Sequence, residues 1–265
     1  MKLKFYKLQA SGNDFILIED KPYSTSYLKK LAKKLCVRRL SVGADGLLAV
    51  KKLNKDNFQM RIFNPDGSEA EMCGNGIRCV AFWINKRNNI NKLIVHTKAG
   101  KIPANVRGSY VKIKMIDPFD IKLNISFKIL KKRWQASYIN TGVPHAVLFV
   151  KSLDRIDVEE VGRKIRFHKI FRPWGTNVDF VEIVHKGKIK VRTYERGVER
   201  ETLCCGTGVT ASAIIFSLKY DQNEKVEVLT KSEEILKVYF KKENDKINNV
   251  WFEGKASYLY EGKLI

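Results

Sequence analysis

Apolar residues in this 265-residue chain recur with two periods, and each period predicts a different kind of element. Short runs in which apolar and polar residues alternate, such as Gln59–Phe63, predict strands bounded by turns rich in Gly, Asn and Asp. Two longer stretches predict buried helices: Ile77–Ile84, which is apolar almost all round apart from Arg78, and the second apolar stretch Val209–Leu218. The pattern therefore predicts an α+β fold with two buried helices.

The first half alternates strands with turns until a break at Asp117-Pro118, which predicts a domain boundary. The predicted strands are Leu3–Lys7, Phe15–Glu19, Leu47–Val50, Gln59–Phe63, Leu93–Thr97, Ile102–Val106 and Val111–Met115, and the predicted amphipathic helix is Tyr27–Leu35. Asn13 falls where the first turn meets a strand, and Asn64 opens the turn Asn64–Gly67. Both amides are thus expected at strand ends.

The second half repeats the landmarks of the first at a nearly constant distance. The separations are 130 residues for Gly12 and Gly142, 132 for Gly43 and Gly175, 131 for Arg61 and Arg192, 132 for Cys73 and Cys205, and 133 for Thr97 and Thr230. This regularity indicates an internal duplication. We predict two pseudo-twofold-related, mostly antiparallel domains with an active site in the cleft between them. They are residues 1–117, completed by a C-terminal strand within 255–265, and residues 118–254.

Each predicted buried helix begins at a Cys-Gly-x-Gly sequence, Cys73–Gly76 in one half and Cys205–Gly208 in the other. Unpaired N–H groups at a helix start favour a thiolate, so a lowered cysteine pKa is expected at both positions. The glycine-rich turns would also hold an anion such as a carboxylate. One such motif alone would favour a buried structural cysteine, but the repeat outweighs that explanation. Two opposed thiols suit racemisation or epimerisation, in which a proton leaves one face of a carbon and another returns to the opposite face.

The formal net charge of +22 raises the alternative of a nucleic-acid-binding protein. The surplus is mostly lysine spread over both halves, and no nucleic-acid-binding motif accompanies it, so a solvated basic surface is favoured. The odd number of cysteines and the absence of an export signal predict free thiols in a cytoplasmic protein. Cys36 and Cys79 are interpreted as packing residues, and the cysteine spacing disfavours a zinc site.

The motifs that carry chemistry, taken together, span essentially the whole chain. They are Ser11–Phe15, Gly43–Gly46, Arg61–Asn64, Cys73–Cys79, Gly175–Val178, Glu195–Gly197 and Cys205–Gly208. In these motifs the sequence resembles the diaminopimelate epimerases, which are pyridoxal-phosphate-independent isomerases of lysine and peptidoglycan-precursor synthesis. The resemblance implies that each domain is a curved sheet around a central helix, and that the protein is a homodimer without cofactor or metal.

The resemblance also implies roles for individual residues. Cys73 and Cys205 would be the catalytic base and acid, assisted by His145 and Glu195. The remaining implied residues bind substrate: Asn13, Asn64, Asn177 and Arg196 at its distal groups, with Glu195 orienting it, and Gly74, Asn75, Gly206 and Thr207 at the reacting carboxylate. The expected substrate is LL-2,6-diaminopimelate, which would be converted to the meso isomer.

The sequence departs from the family pattern at three positions. Val143 stands where the family commonly has a polar residue that contacts substrate, Gly46 replaces a glutamine found in some members, and Cys204 adds a thiol beside Cys205. The repeat aligns Cys205 with Cys73, so Cys205 is the predicted catalytic residue. Two alternatives remain open: a proline or histidine racemase with the same thiol pair, and a basic nucleic-acid-binding protein on a degenerate epimerase fold.

Overall fold

The computed structural model describes residues 3–221, 224–243 and 246–264. These residues form two compact units, of which the first runs to Lys114 and includes the chain from Glu253 onward, and the second is Met115–Phe252. The predicted domain limits at residues 1 and 265 lie outside the described residues. Among the described helices, none has the length and apolar character needed to cross a membrane.

The first unit contains a mixed sheet, two helices and the returning C-terminal strand. Its elements are β1 (Lys4–Ala10), β2 (Asn13–Glu19), α1 (Thr25–Leu35), β3 (Gly46–Lys52), β4 (Asn57–Phe63), β5 (Glu69–Ala70), α2 (Gly74–Asn88), β6 (Lys92–Thr97), β7 (Gly100–Arg107), β8 (Tyr110–Lys114) and β18 (Ser257–Lys263). Pairing follows the order β18-β1-β2-β3-β4-β6-β7-β8, in which β2–β3 and β4–β6 are parallel and the other pairs are antiparallel.

The second unit repeats this plan. Its elements are β9 (Phe119–Ile129), β10 (Lys132–Asn140), β11 (Pro144–Phe149), α3 (Val158–Arg166), β12 (Asn177–His185), β13 (Lys188–Glu195), β14 (Arg200–Thr202), α4 (Gly206–Tyr220), β15 (Lys225–Thr230), β16 (Ile235–Glu243) and most of β17 (Lys246–Lys255), whose last three residues belong to the first unit. The order β9-β10-β11-β12-β13-β15-β16 has the same alternation, with β11–β12 and β13–β15 parallel. Strand β18 therefore pairs with β1 as β9 pairs with β10.

Helices α2 and α4 are buried along most of their length because strands of their own unit contact them from several directions. Ten consecutive residues are buried in each helix, 75–84 in α2 and 208–217 in α4. This explains why neither stretch has an amphipathic pattern. Helices α1 and α3, in contrast, bury one face only and expose their lysine side chains.

The structure extends most predicted elements and adds some that the apolar pattern missed. The first turn is only two residues, Ser11 and Gly12, both at positive φ, so β1 and β2 are longer than predicted. The hairpin of β9 and β10 was not predicted, although apolar and polar residues alternate throughout β9. The landmarks of the first half predict no strand at this position, because the strand that matches β9 in the first unit is β18, at the other end of the chain.

One ion-pair cluster occurs in both units at equivalent positions. In the first unit Glu69 binds Arg61 at 2.9 Å and Lys98 at 2.9 Å. In the second unit Glu201 binds Arg192 at 2.6 Å and Lys231 at 2.6 Å. Each cluster ties the short strand β5 or β14 to its neighbours, just before the glycine-rich start of the buried helix. The duplication therefore preserved this support along with the backbone.

Candidate active site

Cys73 is the N-cap residue of α2 and is partly exposed. Its backbone is extended, with φ −147° and ψ 114°, and its Sγ accepts a hydrogen bond from the Gly76 N–H at 3.4 Å. Gly76 has little room for a side chain, because a Cβ there would lie 3.2 Å from Leu48 Cδ2. The thiol is thus directed at the first turn of the helix, where backbone N–H groups lack intrahelical partners.

Arg78 organises the polar side chains around the start of α2. It is fully buried and donates to Ser11 Oγ at 2.8 Å, to the Lys255 carbonyl at 3.0 Å, and to Asn75 Oδ1. Asn75 in turn donates through Nδ2 to Asn13 Oδ1 at 2.6 Å. The structure therefore brings together Asn13 and Asn75, two predicted substrate-binding residues 62 positions apart.

A second layer of charged residues holds Asn13 in place. Asn13 donates to Asp45 Oδ2 at 3.1 Å, and Arg38 bridges Asp45 and Asp14. Buried Lys7 binds Asp14 at 2.6 Å. Burial acts to raise the pKa of Asp14, but Arg38 and Lys7 outweigh it and hold that pKa below its usual value. This layer keeps negative charge paired next to the predicted site.

Asn64 lies immediately after β4, as the turn signal predicts, and is partly buried. Its Nδ2 donates to Ser68 Oγ at 2.9 Å within the turn that leads to β5. No hydrogen bond links Asn64 directly to Asn13 or Asn75 in the described part of the first unit. Asn64 is therefore positioned by its own turn and not by the Arg78 network.

Cys205 begins α4 as Cys73 begins α2, but it is buried. Its Sγ lies 3.3 Å from the Thr207 hydroxyl. The Thr207 carbonyl accepts a hydrogen bond from buried Thr141 at 3.1 Å, which fixes the first turn of the helix against the loop before β11. Cys204 is also buried, and no disulfide joins any of the five cysteines.

The expected lowering of the cysteine pKa is wrong for Cys205. Burial raises the pKa of this thiol well above its ordinary value, and the carboxyl groups of Glu195 and Asp179 raise it further. Hydrogen bonds from the Thr207 hydroxyl and the Gly208 N–H act in the opposite direction but do not prevail. The helix start alone did not reveal this, because burial and the two acids come from elsewhere in the fold.

His145 and Asp179 form a buried pair under the start of α4. Both side chains are fully inaccessible, and His145 Nδ1 lies 2.7 Å from Asp179 Oδ2. Asp179 Oδ1 accepts a hydrogen bond from the Thr193 hydroxyl at 2.7 Å. His145 Nε2 is buried and has no hydrogen-bond partner among the described residues. This nitrogen is therefore a buried polar atom of the site that remains unsatisfied.

Glu195 ends β13 two residues beyond Thr193, on the same face of the strand. Desolvation by burial raises its pKa, while the Thr202 side chain and His145 act to lower it. His145 affects the pKa of Glu195, and Glu195 affects the pKa of Cys205, so Glu195 lies near both of these predicted catalytic residues.

Asn177 connects the histidine strand with the turn after Glu195. Its Nδ2 donates to the Pro144 carbonyl at 2.9 Å, and its Oδ1 accepts from the Arg196 N–H at 2.8 Å. The Arg196 side chain reaches the Trp174 carbonyl at 3.4 Å, on the wall of a cavity of about 300 Å³. The structure thus places Asn177 and Arg196 side by side.

Sequence reasoning assigned no role to Asp179. The usable signal was a lone carboxylate between apolar residues of the strand Val178–Val181, two positions after Asn177 and so on the same face. A carboxyl group buried in such a strand needs a partner. Cys36 and Cys79 are buried, as their interpretation as packing residues implies, and burial raises the pKa of Cys36 to about 11.

Comparison with solved structures defines the class of protein. A PhzF-family phenazine biosynthesis protein of Bacillus anthracis superposes with a TM-score of 0.77 at 17% identity, covering 100% of this chain and 99% of that one. A hydroxyproline epimerase of Agrobacterium vitis has a TM-score of 0.73 at 14% identity, covering 99% and 91%. The chain therefore has the fold that these proteins share.

Sequence comparison narrows the class to one family. The family model for diaminopimelate epimerase matches residues 5–118 and 137–259. A diaminopimelate epimerase of Hydrogenobaculum sp. is 42% identical over 273 residues, covering 97% of each chain. One from Aquifex aeolicus is 42% identical and covers 99% of this chain and 98% of its own. The chain belongs to the diaminopimelate epimerase family and is an isomerase.

Proposed function

We propose that the chain interconverts LL- and meso-2,6-diaminopimelate by transferring protons at Cα with Cys73 and Cys205. The observation that carries the proposal is the repeated cysteine at the start of a buried helix, one in each unit. Family membership over nearly the full length supports diaminopimelate as the substrate and a role in lysine and peptidoglycan-precursor synthesis.

The proposed reaction has two proton transfers and no net consumption of either thiol. One cysteine, as thiolate, removes the α-proton from one face of the substrate, and the other, as thiol, donates a proton to the opposite face. The buried, acid-flanked Cys205 has a raised pKa, which favours its thiol form in the resting enzyme. We therefore assign the base to Cys73 when Cys205 is the acid. The roles exchange for the reverse reaction.

The α-hydrogen of an amino acid is only weakly acidic, so negative charge that develops on the carboxylate must be stabilised. We assign this role to the N–H groups at the two helix starts, around Gly74-Asn75 and Gly206-Thr207. Preorganised donors of this kind need no rearrangement during the reaction. The proposal requires both helix starts to act on the same substrate molecule.

The remaining polar residues are assigned to the substrate's amino and distal groups. Asn13, Asn64, Asn177 and Arg196 would hold the distal ammonium and carboxylate, and His145 and Glu195 would assist at the reacting centre. The fixed amides of Asn13 and Asn177 support this assignment, since each is held by two hydrogen bonds. We assign no role to Val143.

Proton NMR in deuterated water tests the proposal directly. The reduced protein is incubated without pyridoxal phosphate with LL-diaminopimelate and, in parallel, with proline and histidine. We expect meso product and solvent deuterium at the α-carbon of diaminopimelate only. Exchange confined to proline or histidine would show that this amino acid, and not diaminopimelate, is the substrate. Exchange with none of the three would overturn the proposal.

We also propose that the chain acts as a homodimer in the cytoplasm. The last strand, β18, offers a surface for self-association, since Tyr258, Leu259 and Tyr260 are 39%, 50% and 46% exposed. Adjacent exposed apolar residues on one strand are typical of an interface. Sedimentation equilibrium should give twice the mass of 30.5 kDa. A Leu259→Lys variant should sediment as a monomer. An unchanged mass would show that β18 does not form the interface.

A further inference from the structure

Asp179 is a carboxyl group that folding has removed completely from water. It lies in β12, opposite Thr193 of β13 in the strand register, and both of its oxygens accept hydrogen bonds. Burial of a carboxyl group in an otherwise apolar strand is costly unless its partners satisfy it. Thr193 and His145 are the partners that satisfy the buried carboxyl group of Asp179. One of them, His145, is a predicted active-site residue.

The partner atom on His145 determines the form of its ring. A carboxylate oxygen only accepts hydrogen bonds, so the 2.7 Å contact requires the hydrogen of a neutral imidazole to be on Nδ1. Nε2 then has a lone pair and can accept a hydrogen bond or a proton. This is the nitrogen that has no partner among the described residues of the chain.

Asp179 also contacts the helix that carries Cys205. A Cβ on Gly208 would lie 2.3 Å from Asp179 Oδ1 and 3.2 Å from the Thr193 hydroxyl. Gly208 belongs to the first turn of α4, and its N–H hydrogen-bonds to Cys205. The Asp179 carboxyl group therefore determines the tautomer of the His145 ring. It also packs directly against the first turn of α4, where a backbone N–H donates to the Cys205 thiol.

We propose that Asp179 is a positioning residue for the epimerisation, holding His145 in the Nδ1–H tautomer with Nε2 as an acceptor toward substrate. The inference rests on the proposed function and deepens it, because it names the atom of His145 that is available. Asp179 itself contacts no reacting atom. Its effect passes through His145 and through the first turn of α4.

The tautomer is read by long-range 1H–15N NMR of the whole protein labelled at histidine. The chain has only four histidines, and His145→Gln identifies the signal of His145. In the wild-type protein above the pH at which the ring is charged, we expect Nδ1 to show the shift of a protonated nitrogen and Nε2 that of an unprotonated one. The opposite pattern would overturn the inference without any variant.

Variants then separate positioning from simple support of the core. Asp179→Leu should move His145 toward the Nε2–H tautomer and lower kcat by at least about tenfold with little change in KM, as expected when a tautomer is lost. Thr193→Val removes a buried hydrogen bond of Asp179 but leaves the carboxyl–imidazole contact, so the tautomer should stay as in the wild type. Asp154→Asn, an exposed aspartate of the same unit, is the activity control.

The readouts distinguish this inference from the proposed function. A wild-type kcat in folded Asp179→Leu would overturn the positioning role. An Nδ1–H tautomer in a protein that does not turn over diaminopimelate would refute the proposed function and leave the assigned geometry of His145 supported. Thermal melting of each variant identifies any that fails to fold, and the wild-type spectrum still decides the tautomer in that case.

Discussion

The starts of helices α2 and α4 have the same backbone plan but opposite electrostatic surroundings. Helix α2 contains a fully buried cation, Arg78, while the equivalent position in α4 is Thr210, whose hydroxyl donates to the Gly206 carbonyl at 2.9 Å. Around α4 the buried groups are instead two carboxyl groups, Asp179 and Glu195, with His145. Both halves have the buried helix and the cysteine at its start, but the buried charged groups around them differ.

This difference is useful to a reaction that needs one thiolate and one thiol at the same time. Two identical surroundings would give both cysteines the same tendency to ionise. We propose that the buried acids near Cys205, set against the buried Arg78 of α2, divide the roles before substrate binds. We expect the two halves to respond differently to substitutions at equivalent positions.

The largest expected effect is loss of a catalytic thiol. Cys73→Ala or Cys205→Ala should lower the epimerisation rate by about 10²–10⁴-fold or more, the range for removal of a positioned acid or base. Production of meso isomer from the LL isomer measures it. Cys204→Ala is the matched control, a buried cysteine adjacent to Cys205, and should retain the wild-type rate. A single catalytic variant that kept wild-type activity would refute the two-thiol mechanism.

Arg78→Met should be the most destabilising polar substitution in the first unit. It leaves the buried acceptors on Ser11 and Asn75 without their donor, which costs about 1–3 kcal/mol for each buried group. Urea unfolding measures the loss, and kcat/KM should fall as well, because Asn75 loses its orientation. Arg107→Met, at an exposed arginine of the same unit, should change neither quantity.

Glu195→Gln should make the protein more stable and less active. Burial raises the pKa of Glu195, so the folded state holds its proton more tightly than the unfolded state does. The ionised carboxyl group therefore disfavours folding at neutral pH, and this penalty disappears below the ordinary Glu pKa of about 4.5. Thermal melting should show a gain for the variant at pH 7.5 and none at pH 4. A lower melting temperature at pH 7.5 would contradict the account.

The repeated ion-pair clusters should give equal, smaller effects in the two halves. Arg61 and Lys98 lower the pKa of Glu69, and Arg192 and Lys231 overcome burial to lower that of Glu201. Each carboxylate therefore stabilises the fold above its ordinary pKa, and that stability is lost as the pH falls through the lowered value.

The test is the urea midpoint against pH for Glu69→Gln and Glu201→Gln. Each variant should be less stable than wild type at pH 7 and should approach it near pH 3. Glu160→Gln, which breaks an exposed pair with Lys164, should change little at either pH. A loss of the same size at pH 3 and pH 7 would show that the charge is not the source of the stability.

The duplication and the buried helices could be predicted because both are patterns in the order of residues: landmarks at a constant separation, and apolar residues on nearly every side of a helix. The cysteines were found for the same reason, since a cap motif occupies four consecutive residues. Hairpin β9–β10 was missed although β9 alternates strictly, because its counterpart in the first unit, β18, lies at the other end of the chain.

The surroundings of the cysteines could not be predicted, because their partners are distant in sequence. Arg78 binds a carbonyl 177 positions away, and His145 binds an aspartate 34 positions away. The same limit explains the wrong pKa direction for Cys205. Helix starts are visible in a sequence, but burial and neighbouring acids depend on the whole fold.

The most direct test of the central claim, proton transfer between two thiols, is the position of deuterium at early conversion. LL-diaminopimelate is incubated with the enzyme in deuterated water, and substrate and product are separated after a small fraction has reacted. With two thiols, the meso product should carry deuterium from the donor, while the recovered LL substrate should keep its α-proton. Deuterium in the recovered substrate as fast as in the product, or product that retains the original proton, would show that a single residue removes and returns the proton and would contradict the account.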